Sequence, residues 1–238
     1  MSTRWFATTH WSVVLAAGGD SSPAARAALD RLCGTYWYPL YAYTRRRGYS
    51  SHDAEDLVQE FFARFIEKDA LGGVEREGGR FRSFLLTCLN RFLSDERARA
   101  RRLKRGGDKE IVSLDAEAAE RRYLLEPADL ADPAKLFERR WALTLLETVL
   151  ARLKAELETQ GKGQLFGHLQ ALVVGERGAA RRAQAAARLG LSEGAVAVIV
   201  HRLRLRYRRL LREEIAQTVP RVEEVDDEMG YLLAVLRG

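Results

Sequence analysis

Residues 53–68, DAEDLVQEFFARFIEK, divide between two kinds of side chain. Ala54, Leu57, Val58, Phe61, Phe62, Phe65 and Ile66 recur at the i, i+3, i+4, i+7 spacing that gathers side chains on one face of an α-helix. Asp53, Asp56, Gln59, Glu60, Arg64 and Glu67 take the other face. A stripe this regular commits the segment to a helix packed against other elements, because a repeat of 3.6 cannot serve a pleated strand, whose repeat is two. A solvated polar face is the ordinary outcome for such a helix. Whether this face meets a partner has to be decided by the rest of the chain.

The same period dominates elsewhere. It predicts helices over 23–46, 53–68, 80–103, 139–159, 163–174, 179–189 and 193–216, while no run of alternating β-branched residues is long enough to build a sheet. The fold class is therefore all-α. Glycine pairs at 18–19, 72–73, 78–79 and 106–107 punctuate the first half. The stretch 106–138 carries Pro127, Pro133 and a surplus of Asp and Glu, which reads as an acidic linker. The expected organisation is an N-terminal helical domain at 1–105, the linker at 106–138, a C-terminal helical domain at 139–219 and a tail at 220–238.

Charge narrows the partners. The 238 residues carry a net charge of +6 with a sequence pI of about 9.5. Most of the 39 basic residues are Arg, whose planar fork pairs with phosphates and guanine edges. A polyanion is the favoured partner. Cys33 and Cys88 stand apart, without a CxxC or a His set, so neither a disulfide framework nor a metal site is expected, and both read as buried thiols. No apolar run reaches the ~18 residues of a membrane span, and the opening MSTRWFATTHWSVVLAAGGD has polar and charged residues where a signal peptide needs its apolar run. A cytoplasmic protein is expected.

Two basic stretches could meet nucleic acid. In AQAAARLGLSEGAVAVIVHRLRLRYRRLL, residues 183–211, an alanine-rich helix ends at Gly190, Leu191 plugs a corner and Ser192 can cap the next helix. This is a helix-turn-helix pattern. Val196, Ile199, Val200, Leu203, Tyr207 and Leu210 face inward; Val198, His201, Arg202, Leu205, Arg208, Arg209 and Arg212 face outward. The groove-facing end is apolar and the distal half basic, so phosphate anchoring looks stronger than base reading. In the second stretch, RFRSFLLTCLNRFLSDERARARRLKR at 80–105, Phe81, Phe84, Leu85, Cys88, Leu89 and Phe92 turn inward. Beyond Asp95, Arg97, Arg99, Arg101, Arg102, Lys104 and Arg105 crowd the helix end, where they repel one another unless phosphates are near.

The order and spacing of DAEDLVQEFFARFIEK, FRSFLLTCLNRFLSDERARARR, an acidic linker and AAARLGLSEGAVAVIVHRLR resemble a bacterial RNA polymerase sigma factor of the extracytoplasmic-function group, over about 50–104 and 139–214. TTHWSVVLAAG resembles the extended first region of a subgroup. The resemblance implies a non-catalytic subunit without cofactor or metal. It implies that Asp53, Asp56, Gln59, Glu60 and Arg64 dock on the largest subunit of core RNA polymerase. It places Arg91, Asp95, Arg97, Arg99, Arg101 and Arg102 at the minus-ten element of promoter DNA, which the helix reads and opens. It assigns the minus-thirty-five element to the helix-turn-helix, with Ser192, Ala195, Val198, His201, Arg202 and Arg209 as contacts. The linker would thread towards the RNA exit path. An anti-sigma factor or another regulator remains open as a third partner.

Two positions depart from the family pattern. The Asn expected four residues before Asp95 is replaced by Arg91, with Asn90 one residue earlier. The usual Thr-Val-Lys-Ser-Arg of the recognition helix is AVAVI, which leaves thymine methyls as possible contacts or else a loss of specific reading. A transcriptional regulator using the helix-turn-helix alone is the alternative, and it leaves the 53–68 face unexplained. An enzyme acting on nucleic acid is third, but no second carboxylate cluster, nucleophile with base, or phosphate-binding loop accompanies Asp53, Glu55, Asp56 and Glu60. The tail RVEEVDDEMGYLLAVLRG suits a short helix that folds back on either domain or meets a partner, with folding back the ordinary outcome for a short amphipathic segment.

Overall fold

A computed structural model describes residues 23–67, 80–102, 116–124, 132–175, 178–219 and 221–237. TTHWSVVLAAG, the four glycine pairs, Pro127, Lys104 and Arg105 lie outside these residues, as do the side chains of Ile66, Glu67, Arg101 and Arg102. The described elements are all helical: α1 (Pro23–Arg46), α2 (Ser51–Glu67), α3 (Phe81–Arg102), α4 (Ala116–Leu124), α5 (Pro133–Thr159), α6 (Gly163–Val174), α7 (Ala179–Leu189), α8 (Glu193–Ala216), a 3-10 turn (Val222–Glu224) and α9 (Val225–Arg237). The all-α class read from periodicity is the class observed. The chain divides into two compact units, residues 1–144 with 216–238, and residues 145–215.

The first unit is built on aromatic packing. Phe61, Phe62 and Phe65 of α2 are buried, and Phe61 lies 5.8 Å from Phe92 of α3 while Phe65 lies 6.2 Å from Phe84. Tyr36 of α1 meets Phe81 edge-on at 5.4 Å. Truncating one such ring costs about 3–5 kcal/mol, so the stripe read from the sequence holds α1, α2 and α3 together. The start of α2 is set by Ser50, whose hydroxyl accepts the Asp53 N–H at 3.0 Å and donates to the Asp53 carboxylate at 2.7 Å, a reciprocal cap. Cys33 and Cys88 are half-buried and in no disulfide, less enclosed than expected, and burial pushes the Cys88 thiol up.

Helix α4 falls inside the stretch read as linker. Its Glu120 takes the Arg45 guanidinium side-on, at 3.0 and 2.7 Å, and also accepts the Tyr41 hydroxyl. Arg122 lies 4.4 Å over the Tyr38 ring, and Arg45 4.9 Å over Tyr123. Helix α5 begins six residues before the expected 139, because Asp132 caps it, accepting the Ala134 N–H at 2.9 Å, and Pro133 suits the first helical position, where no N–H is needed.

The tail folds back on the first unit and closes an ion cluster at the start of α3. Arg82 and Glu228 are each only 1% exposed and pair directly; Arg82 also pairs with Glu138 of α5, and Arg80 reaches Glu228 at 2.7 Å. The Arg82 guanidinium lies 4.3 Å over the Trp141 ring and 4.8 Å over Tyr231. Burial works against its charge, yet Glu138 and Glu228 outweigh burial and hold it above its ordinary value. Burial likewise pushes Glu138 above the usual carboxylate value, with Arg82 opposing. The Phe81 N–H donates to the Thr218 carbonyl at 3.3 Å. Segments far apart in sequence thus fix where α3 begins.

In the second unit, Arg206 of α8 forks onto Glu156 of α5 at 2.8 and 2.7 Å, and Arg152 reaches Glu213 and Glu214 at 2.8 and 2.9 Å. The Tyr207 hydroxyl donates to the Leu146 carbonyl at 3.0 Å, and burial raises that phenol to about 12. Arg204 donates to the Leu172 carbonyl at 3.1 Å near the end of α6, a position that favours a cation.

Candidate functional site

The outward face of α2 holds the five residues singled out for docking, and the structure shows how each is engaged. Asp53 is exposed but serves the Ser50 cap. Asp56 is half-exposed, with His52 3.6 Å away. Gln59 donates to Glu55 at 3.1 Å. Glu60 pairs with Arg64, and Arg64 reaches across to Glu96 of α3 at 2.8 Å, its guanidinium 5.2 Å over the Phe92 ring. Asp56 and Glu60 keep about two fifths of their side-chain surface in solvent.

Along α3, Arg91 and Asp95 are exposed. Arg97 donates to the Tyr49 hydroxyl at 2.7 Å and covers its ring at 5.0 Å. Arg99 pairs with Glu96 at 2.9 Å. Arg101 and Arg102 lie in the last turn of the helix. Glu96 therefore joins the two predicted sets, holding Arg64 on one side and Arg99 on the other. Sequence reading missed it, because its role depends on α2 and α3 lying side by side. Asn90, one place from the family position, accepts the Tyr43 hydroxyl at 2.7 Å and Arg47 at 3.1 Å, so its carbonyl oxygen ties α1 to α3.

Helices α1 to α3, with an acidic outward face on α2 and an arginine-rich end on α3, are the part of the chain that comparison recognises. Residues 36–103 match the family model of sigma-70 region 2. The match supports a sigma-70 family member with a role in RNA polymerase-directed transcription, and with it the binding of core polymerase and promoter DNA. No curated protein and no solved structure matches the chain significantly. The sigma-70 match ends just after α3, so everything from α4 onwards stands on its own geometry.

That geometry includes a sharp corner. Gly190 sits at φ 63° and ψ 30°, a left-handed conformation open to glycine at no steric cost. The Leu191 N–H returns to the Ala186 carbonyl at 3.0 Å and the Gly190 N–H to Ala187 at 3.4 Å, which closes α7 in a Schellman arrangement. The Ser192 hydroxyl then accepts the Ala195 N–H at 3.2 Å and starts α8, and the chain turns through 102° between the two helices. On α8, Val198, His201, Arg202 and Arg209 are exposed and Ala195 is half-exposed, while Val196, Val200, Leu203 and Leu210 are buried. Arg209 lies 3.3 Å from Glu213. Of the predicted contacts here, Ser192 has its hydroxyl committed to the backbone.

Among the described residues no cluster of His, Cys, Asp and Glu could hold a metal ion, and no single helix is long and apolar enough to cross a membrane.

Proposed function

We propose that the chain is a sigma factor of the extracytoplasmic-function type, a non-catalytic cytoplasmic subunit that joins core RNA polymerase and directs it to particular promoters. The observation that carries this reading is the sigma-70 region 2 match over 36–103, which falls on the helices that display Asp56 and Glu60 outward. In this reading Asp53, Asp56, Gln59, Glu60 and Arg64 form the polymerase-docking face. Arg91, Asp95, Arg97, Arg99, Arg101 and Arg102 run along the minus-ten DNA, their cations replacing counterions on the phosphates. Helices α7 and α8 form a helix-turn-helix on the upstream element, with Ala195, Val198, His201, Arg202 and Arg209 towards the groove; the 102° turn and the glycine corner support that assignment.

The direct test is whether the full chain co-purifies with core polymerase and whether promoter DNA binding then needs both. Stable association that is lost in the Asp56→Lys, Glu60→Lys double variant supports the reading. Tight, sequence-specific DNA binding by the chain alone, with no affinity for core polymerase, would favour a helix-turn-helix regulator instead.

A further inference from the structure

Ala195, Val198, Arg202, Leu205 and Arg209 follow one another at spacings of three and four and so share one stripe of α8. Val198 is 51% exposed and Leu205 54%, and Leu191, at the corner before the helix, is 39% exposed. A single exposed aliphatic residue needs no explanation, but several along one stripe and its corner form a surface. Between Glu193 and Glu213 the helix has no acidic residue, and α7 has none either. Arg188, Arg202 and Arg208 are exposed around the aliphatic positions.

The cations fix the class of occupant as a polyanion, and the aliphatic side chains then ask what apolar group such a polyanion can offer. In the major groove of DNA the answer is the thymine 5-methyl group; the other base-edge groups there are hydrogen-bond donors and acceptors. Leu191, Ala195 and Val198 have no group to pair with those. Val198 is β-branched, so its two methyls are held in one orientation on the helix.

Resting on the reading that this corner binds upstream promoter DNA, we infer that the corner and α8 select their site by thymine methyl groups, with Leu191 and Val198 as the specificity-determining side chains and the exposed Arg188 and Arg208 as phosphate anchors. At a base met by Leu191 or Val198, such a reader prefers thymine to cytosine for the methyl alone. It accepts 5-methylcytosine in place of thymine better than it accepts uracil, although uracil keeps every hydrogen-bonding group of thymine.

Holoenzyme assembled from core polymerase and the full chain is used to enrich binding sites from a random-sequence duplex pool. The enriched upstream element is then remade with deoxyuridine at each of its thymidines in turn. Each methyl in contact should be worth about fourfold in affinity, equivalent to ~0.8 kcal/mol for one buried carbon. Val198→Ala, at an exposed position, should remove the thymine-to-uracil effect at one position and leave the salt dependence of binding unchanged. Equal affinity for thymine and uracil duplexes in an element that was enriched overturns this inference and leaves upstream binding standing. A pool that enriches no upstream sequence overturns the upstream reading itself, and the inference with it.

Discussion

Helices α3 and α8 are both long, basic and partly solvent-facing, yet they carry their arginines differently. On α3, Arg97 lies on Tyr49 and Arg99 on Glu96, and Arg64 of α2 reaches the same Glu96. On α8, exposed Arg202 and Arg208 stand among Val198 and Leu205, while Arg204 and Arg206 are engaged against the body of the unit and Arg209 pairs with Glu213 of its own helix. The difference teaches that α3 is held in position by its own domain before DNA arrives. In the proposed reading each phosphate contact at Arg97 or Arg99 would exchange one partner for another with a small net gain, whereas α8 offers apolar surface at Val198 and Leu205 with exposed charge at Arg202 and Arg208.

The largest effect should come from the anchor of α3. Arg82→Ala leaves Glu228 buried beside only Arg80, and should cost about 3–5 kcal/mol of stability in urea unfolding, since breaking a buried pair strands the remaining charge. Arg82→Met with Glu228→Leu should recover much of that loss. Val198→Ala on α8, removing no buried contact, should change stability by under about 0.5 kcal/mol. Equal effects at the two sites would erase the contrast.

Next in size is docking. Asp56→Lys with Glu60→Lys should weaken core polymerase affinity by several kcal/mol while helical content stays unchanged, because the substitutions reverse the charge of exposed side chains and leave the aromatic stripe intact. Unaltered affinity in the folded double variant would make this a solvated face only.

A smaller effect concerns α4. The Arg45 hydrogen bonds hold the Glu120 carboxyl below its ordinary value, with burial opposing and the Tyr41 hydroxyl assisting. A carboxyl lowered in the folded state contributes stability above its unfolded value, here about 4.5, and loses it as pH falls through the lowered folded value. Glu120→Gln should therefore cost up to about 1 kcal/mol at neutral pH and nothing in strong acid. Glu138, raised by burial, has the opposite sign: its contribution is present in acid and is lost as pH rises through its folded value.

The smallest effect separates the two helices most cleanly. Arg91→Ala, at an exposed position of α3, should flatten the logarithmic salt dependence of promoter binding by roughly one unit, as one lost phosphate contact requires. Val198→Ala should leave that slope alone. The reverse pattern would exchange the roles given to α3 and α8.

Much of the fold was legible from periodicity. The helices expected at 23–46, 163–174, 179–189 and 193–216 fall on the same residues in the structure, because glycines, Ser192 and unbroken apolar stripes mark their ends. Helix α4 and the first turns of α5 were not, since their acidic residues read as solvated spacer until Arg45 and Asp132 are seen to engage them. The outward face of α2 was legible as a face, but not its tie through Arg64 to Glu96, which depends on tertiary proximity. Arg82 and Glu228 left a readable trace: each occupies an inward position of its helix stripe, Arg82 in line with Leu85 and Leu89, Glu228 between Val225 and Leu232. Two opposite charges on two inward stripes are complementary, and a reading that treats every charge as surface passes over them.

If this chain turns core polymerase into a promoter-selective enzyme, as proposed, the 5′ ends of its transcripts will show it. Core polymerase is given genomic DNA with the full chain, without it, and with the Asp56→Lys, Glu60→Lys variant. Defined start sites, preceded by a shared sequence, are expected only with the unaltered chain. The same scattered starts in all three reactions would contradict the proposal.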